Sequence, residues 1–189
     1  MSDEGWKNSK IYGNSDFHKA DLSKIKFGDD INNKILNWWK RKSDLLLFCG
    51  SVGVGKSYLG HALCRFWSEN MKFPHNHYLF KLEKEIYDHL QPPYNPGFSP
   101  AYEIEKFQNI PFVVIDDFGS TKKSDFRDEI LFAILDGRHS SRYPTLITTN
   151  KYVKDIRSEY SAPIVSRLLD KRNTIIELVD EDLRQSERD

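Results

Sequence analysis

The chain has 189 residues, 39% hydrophobic and 30% charged, which are the proportions of an ordinary soluble globular domain. Lysine plus arginine equals aspartate plus glutamate at 28 each, so the net charge is zero and bulk charge points to neither nucleic acid nor a membrane. No apolar run approaches the ~18 residues of a transmembrane helix, and the two cysteines, Cys49 and Cys64, are too few for a disulfide framework.

Both cysteines read as small core residues in a reducing, cytoplasmic setting. Met1 to Lys10 is polar and lacks the apolar core of a signal peptide. Residues 1–20 read as a flexible N-terminal arm, with Trp6, Tyr12 and Phe17 as aromatics able to dock, and residues 21–189 as one folded domain. Asp30 to Lys42 places Ile31, Ile35, Leu36, Trp38 and Trp39 at helical spacing. Leu45 to Cys49 is an unbroken apolar run and predicts a buried strand.

Directly after it comes Gly50-Ser51-Val52-Gly53-Val54-Gly55-Lys56-Ser57, which satisfies the phosphate-binding pattern G-x-x-x-x-G-K-[ST] in full. A helix beginning near Tyr58 and running to about Asn70 completes the strand–loop–helix context. The loop amides and the helix dipole then converge on one point, where a polyphosphate fits. Gly50, Gly53 and Gly55 permit close backbone approach. Lys56 is expected to reach phosphate oxygens and Ser57 to ligate Mg²⁺.

Further along, His77 to Leu82 predicts a short strand and Glu83 to Leu90 a helix. Pro92, Pro93, Pro96, Gly97 and Pro100 make 91–100 irregular. Tyr102 to Gln108 supports one or two helical turns. Phe112 to Ile115 is a second solid apolar strand, ending in Asp116 and Asp117. Such strands bind ligands at their carboxyl ends, which sets Asp116 beside the P-loop as a Mg²⁺-holding Walker-B acid and Asp117 as a base toward water. An acidic turn without chemistry is the plain alternative, weakened by the full P-loop upstream.

Ser124 to about Ser140 is an amphipathic helix with a Ser124 cap. Thr145 to Thr148 is a third strand, and Asn150 after it is read either as a turn former or as a group orienting the lytic water. Ala162 to Asp170 is a short helix carrying Arg167, either a solvated arginine or one completing a neighbouring subunit's site. Asn173 to Leu178 is the last strand. Strands alternating with helices predict an α/β P-loop NTPase fold, a three-layer sandwich around a parallel five-stranded sheet.

Taken in order, the P-loop, Ile115-Asp116-Asp117-Phe118-Gly119, Leu135-Asp136-Gly137-Arg138, Arg142-Tyr143-Pro144-Thr145, Thr148-Thr149-Asn150, Ser166-Arg167-Leu168 and Asp182-Leu183-Arg184 closely resemble the AAA+ ATPases, and among them the DnaC/IstB group of helicase loaders and transposition helper ATPases. The resemblance covers about residues 20–185. It implies that Gly50, Ser51, Val52, Gly53, Val54, Gly55, Lys56, Ser57 and Tyr58 hold ATP, and that Ser57 and Asp116 hold Mg²⁺. It further implies that Asp117 is the catalytic acid position, Asn150 sensor 1, Arg167 an arginine finger and Arg184 a sensor-2-like arginine, with the adenine pocket near Leu22 to Phe27. The partners so implied are a second copy or another ATPase through Arg167, a replicative helicase, and single-stranded DNA, with no membrane.

Three departures stand out. Asp117 is one methylene shorter than the glutamate many AAA+ proteins carry. About 40 residues precede the first strand, fewer than a helicase-binding domain needs. Little chain follows Leu183, so a separate helical lid domain is not expected. Tyr87, Tyr94, Phe98 and Tyr102 in region 83–110 read first as aromatics packing a proline loop and secondarily as stacking platforms for bases. Lys122-Lys123 is a small basic pair, a solvated turn or a contact for DNA phosphates. Two other classes stay open: an ATP-gated switch with little turnover, and a P-loop kinase of small molecules, the latter disfavoured by the arginine-poor 83–110 segment.

Overall fold

The structure, a computed structural model, describes residues 20–25, 27–70, 78–91, 97–122 and 124–178. The expectations placed on the arm 1–19, on Tyr94, on Lys123 and on Asp182-Leu183-Arg184 lie outside these residues.

The described elements are α1 (Asp29–Arg41), β1 (Leu45–Gly50), α2 (Lys56–Asn70), β2 (Tyr78–Leu82), α3 (Glu83–Leu90), α4 (Pro100–Asn109), β3 (Phe112–Phe118), α5 (Asp125–Ser141), β4 (Thr145–Thr149), α6 (Val153–Glu159), α7 (Ala162–Leu168) and β5 (Thr174–Leu178). A short 3-10 turn at Leu22–Lys24 precedes them. All strand pairs are parallel and the sheet order is β2-β3-β4-β1-β5. The expected α/β three-layer architecture is therefore present. The sequence reading had no helix at Val153–Glu159, and it ended β3 at Ile115 rather than Phe118.

The apolar runs work because side chains alternate across a strand. Leu46, Phe48, Phe112, Val114 and Leu146 enter one core with Trp38, Leu59, Leu63 and Trp67 of α1 and α2. Leu45, Leu47, Val113, Ile115 and Ile147 enter the other with Ile130, Ile134, Ile164 and Leu168 of α5 and α7. Both faces are covered, so continuous apolar strands cost nothing in exposure, and each large buried side chain contributes about 1.5–3 kcal/mol. Gly60 lets α2 lie against the sheet, since a Cβ there would meet Phe80 at 2.9 Å and Val114 at 3.0 Å. Ser124 caps α5 by accepting from the Arg127 amide, and Ser99 caps α4 with Pro100 in its first turn. Both cysteines are buried free thiols, as expected, and burial pushes Cys49 up to about 12.

Candidate functional site

The carboxyl ends of β1, β3 and β4 meet at the P-loop. Gly53 and Gly55 have φ of 93° and 88°, a region side chains rarely tolerate, so the glycine spacing shapes the loop directly. Val54 turns inward at 2% exposure while Val52 points out at 55%. The helix opens at Lys56, two residues earlier than the sequence reading placed it, so the loop amides run straight into its first turn.

Lys56 is buried, and its ammonium donates to the Gly50 and Ser51 carbonyls at 2.9 and 2.7 Å and to Asn150 Oδ1 at 2.8 Å. Asn150 Nδ2 donates in turn to Asp117 Oδ1 at 2.9 Å. Ser57 Oγ donates to Asp116 Oδ1 at 3.1 Å. The four elements assigned from sequence to one site are thus linked by hydrogen bonds. Asp117 stands at a register shift between Ile115 and Phe118 with φ of 56°. This bulge re-aims its side chain away from the strand's alternation, so adjacent carboxylates serve different neighbours.

Thr148 was missed as a site residue. Its hydroxyl donates to Asp116 and accepts from the Asp117 amide at 3.1 Å, so one side chain of β4 fixes both acids. Its only signal in the sequence is a threonine two residues before Asn150 in a buried strand. Asp116 is 4% exposed. Burial pushes its carboxyl pKa up and the Asp117 charge adds to this, while hydrogen bonds from Thr148 and Ser57 and the Lys56 charge oppose it.

Hard oxygen donors around a buried carboxylate fit Mg²⁺, which keeps most of its waters and takes few protein ligands. Among the described residues no group of three or more His, Cys, Asp or Glu side chains is placed to hold a metal ion. Ser57 and Asp116 are the side chains that would hold it, and the loop amides with Lys56 those that would hold a polyphosphate.

Tyr58 lies at the start of α2, where its hydroxyl accepts from the Asp21 amide at 3.0 Å and ties the 20–25 segment to the site's edge. Leu22, Ile25 and Phe27 pack against the α2-side core.

Arg167 is not part of this cluster. Its Nε donates to Asp136 Oδ1 at 2.7 Å, and it shares a cleft with Leu45 and Thr145, the first residues of β1 and β4. It therefore sits at the amino end of the sheet, about 17 Å of strand away from the P-loop. Among the described residues of region 83–110, two of the named aromatics face the core. Tyr87 is buried and Phe98 lies against the core, whereas Tyr102 is 57% exposed with the Lys106 ammonium 4.4 Å from its ring. Lys122 lies exposed in the turn after β3.

No family model matches the chain. The replicative helicase loader DnaC of Escherichia coli (strain K12) is 24% identical over 123 residues, covering 65% of this chain and 49% of DnaC. The chain thus spans about half the length of the curated relatives it matches. Among solved structures, DnaI superposes with a TM-score of 0.69 at 22% identity, covering 89% of this chain and 95% of that one. The replication initiator DnaA bound to AMPPCP and single-stranded DNA gives 0.70 at 14% identity, covering 85% and 50%. The chain is thus similar to DnaC in sequence over those 123 residues, and its P-loop-bearing parallel α/β fold is that of DnaI and DnaA.

Proposed function

We propose that this chain binds ATP with Mg²⁺ and hydrolyses it, as the cytoplasmic ATPase module of a DnaC-type helicase loader acting in DNA replication. The observation that carries the reading is the hydrogen-bonded line Lys56–Asn150–Asp117 beside the Ser57–Asp116 pair. It joins phosphate-holding, water-orienting and acidic groups on three strand ends.

In this reading Lys56 and the loop amides bind the phosphates, and Ser57 and Asp116 hold the cation. Mg²⁺, when bound, neutralises phosphate charge. Asn150 orients a water, and Asp117 takes its proton. Arg167 lies too far along the sheet to serve its own P-loop, which favours its reaching the site of a second copy or a partner ATPase. Arg184 is assigned a sensor-2-like contact by resemblance alone. A replicative helicase and single-stranded DNA are the proposed partners. The names of DnaC, a replicative helicase loader, and of DnaA bound to AMPPCP and single-stranded DNA support them. Among the described residues no helix is long and apolar enough to cross a membrane.

The test is ATP hydrolysis over a range of protein concentrations, with and without single-stranded DNA, for the wild type and Arg167→Ala. Specific activity rising with concentration, and falling about 10³-fold in Arg167→Ala while ATP affinity holds, is the expected result. Tight ATP binding with no turnover under any condition would instead make the chain an ATP-gated switch.

A further inference from the structure

Glu83 is the first residue of α3, directly after β2, and is 2% exposed. One carboxylate oxygen accepts from the Tyr87 hydroxyl at 3.0 Å. The other accepts from the Gly119 amide at 3.0 Å and the Thr121 hydroxyl at 2.9 Å. Among the described residues it forms no ion pair. A buried carboxylate without a cation is costly, and packing alone would be served better by an apolar side chain. Burial accordingly pushes its pKa up, against hydrogen bonds from Thr121, Gly119 and Tyr87 that pull it down.

What Glu83 holds is the turn that follows the acid pair. The Ser120 amide bonds back to the Asp117 carbonyl at 3.2 Å, so residues 117–120 form one tight turn. Both Asp117 and Gly119 in it have positive φ, 56° and 84°. A strained segment keeps its shape only when its surroundings over-determine it. Here one end is fixed by Thr148 at the Asp117 amide and the other by Glu83 at Gly119 and Thr121. Gly119 is also pressed against Lys151, the residue after Asn150, so that a Cβ there would meet Lys151 Cε at 2.5 Å. Slack in this turn would be felt where Asn150 meets Asp117.

We propose that Glu83 is a positioning residue that clamps the 119–121 turn, so that Asp117 keeps the direction in which Asn150 reaches it. It thereby couples α3 to the reacting end of the sheet. The catalytic part of this rests on the reading of Asp117 as the group that takes the water's proton. The clamp itself does not.

The experiment compares the full chain with Glu83→Ala and Glu83→Gln by hydrogen exchange, ATP turnover and binding of a fluorescent ATP analogue. In Glu83→Ala, exchange across 117–121 should rise at least about tenfold while the P-loop is unchanged. Analogue affinity should stay within about threefold, and kcat should fall about 10- to 100-fold. Glu83→Gln keeps an oxygen for Gly119 and Thr121 and offers its amide to the Tyr87 hydroxyl, and should recover most of the loss. Should Glu83→Ala fail to fold, Thr121→Val removes one clamp contact and should give the same pattern on a smaller scale.

Unchanged exchange at 117–121 overturns the proposal. So does loosening spread over the whole domain that Glu83→Gln does not repair. If the wild type shows no turnover, the ATPase reading fails, and hydrogen exchange still decides whether Glu83 clamps the turn.

Discussion

The two ends of the sheet both hold buried charged and polar side chains and use them in opposite ways. At the carboxyl end, Lys56, Asn150, Asp117, Ser57 and Asp116 bond largely to one another. In the proposed reading these partnerships are exchangeable, because bound ATP and Mg²⁺ would take them over. At the amino end, Arg138 is 2% exposed and donates to main-chain oxygens of Phe107 and Ile110, both at 2.8 Å, and of Pro144 at 3.0 Å, and to Thr145 Oγ1 at 2.7 Å. Burial pulls its pKa down to about 9, still above neutral pH, and the main-chain oxygens take the place of water around the guanidinium. Those partners are fixed by the chain path, so Arg138 fastens the end of α4 to the start of β4. The same residue types make a site at one end and a rivet at the other, and the difference lies in whether the partners can move.

The sharpest way to break this contrast is Arg138→Met. It leaves several buried acceptors unsatisfied, at about 1–3 kcal/mol each, so a loss of at least about 3 kcal/mol is expected in urea unfolding. ATP affinity of the molecules that remain folded should be unchanged. If Arg138→Met folds with wild-type stability, the amino end is no rivet.

Lys56→Ala should do the reverse. Of the two carbonyls it frees, that of Ser51 is only partly buried and that of Gly50 is buried, so the urea midpoint should fall by less than in Arg138→Met. ATP affinity should drop about 100-fold, as for the loss of a charge-assisted phosphate contact. Calorimetric titration with ATP and Mg²⁺ measures this, and a drop in midpoint without a drop in affinity would contradict it.

The smallest effect concerns Asp44 and Arg142, also at the amino end, where the guanidinium lies 2.8 Å from the carboxylate. Burial raises the Asp44 pKa, but hydrogen bonds from Arg142 and Ser43 outweigh it and hold the carboxyl below its usual value. A depressed folded pKa contributes stability above the unfolded value, about 3.9, and loses it as pH falls through the folded value. Arg142 is 55% exposed, so solvent screens the pair and the effect should be small. Wild type and Arg142→Ala should differ in thermal midpoint at pH 7 and converge in acid. Curves that stay parallel down to pH 2 would show that the pair does not carry the difference.

The helices show where local pattern ends. α5 was legible from its cap and its apolar stripe, because Ile130, Leu131, Ile134 and Leu135 all enter one core. α6 was not, because Ile156 is its one buried residue and a single contact leaves no period to read. The bulge at Asp117 was equally hidden, since a strand running into acids looks alike whether it ends or kinks.

The order of motifs was local information: glycine spacing, solid apolar strands and the polar residues closing each are set by backbone sterics and by burial on both faces. On that basis the P-loop, Asp116 and Asp117 could be assigned to one site before any fold was known, whereas Asn150 stayed open between turn former and water-orienting group and was placed there by the AAA+ resemblance. Tertiary structure alone decided that Thr148 holds both acids, that Arg167 faces away from its own P-loop, and that Arg138 and Glu83 are buried. A charged side chain shows no sign in the sequence of whether its partners are water or buried backbone. That is settled only when distant segments pack together and the solvent is excluded.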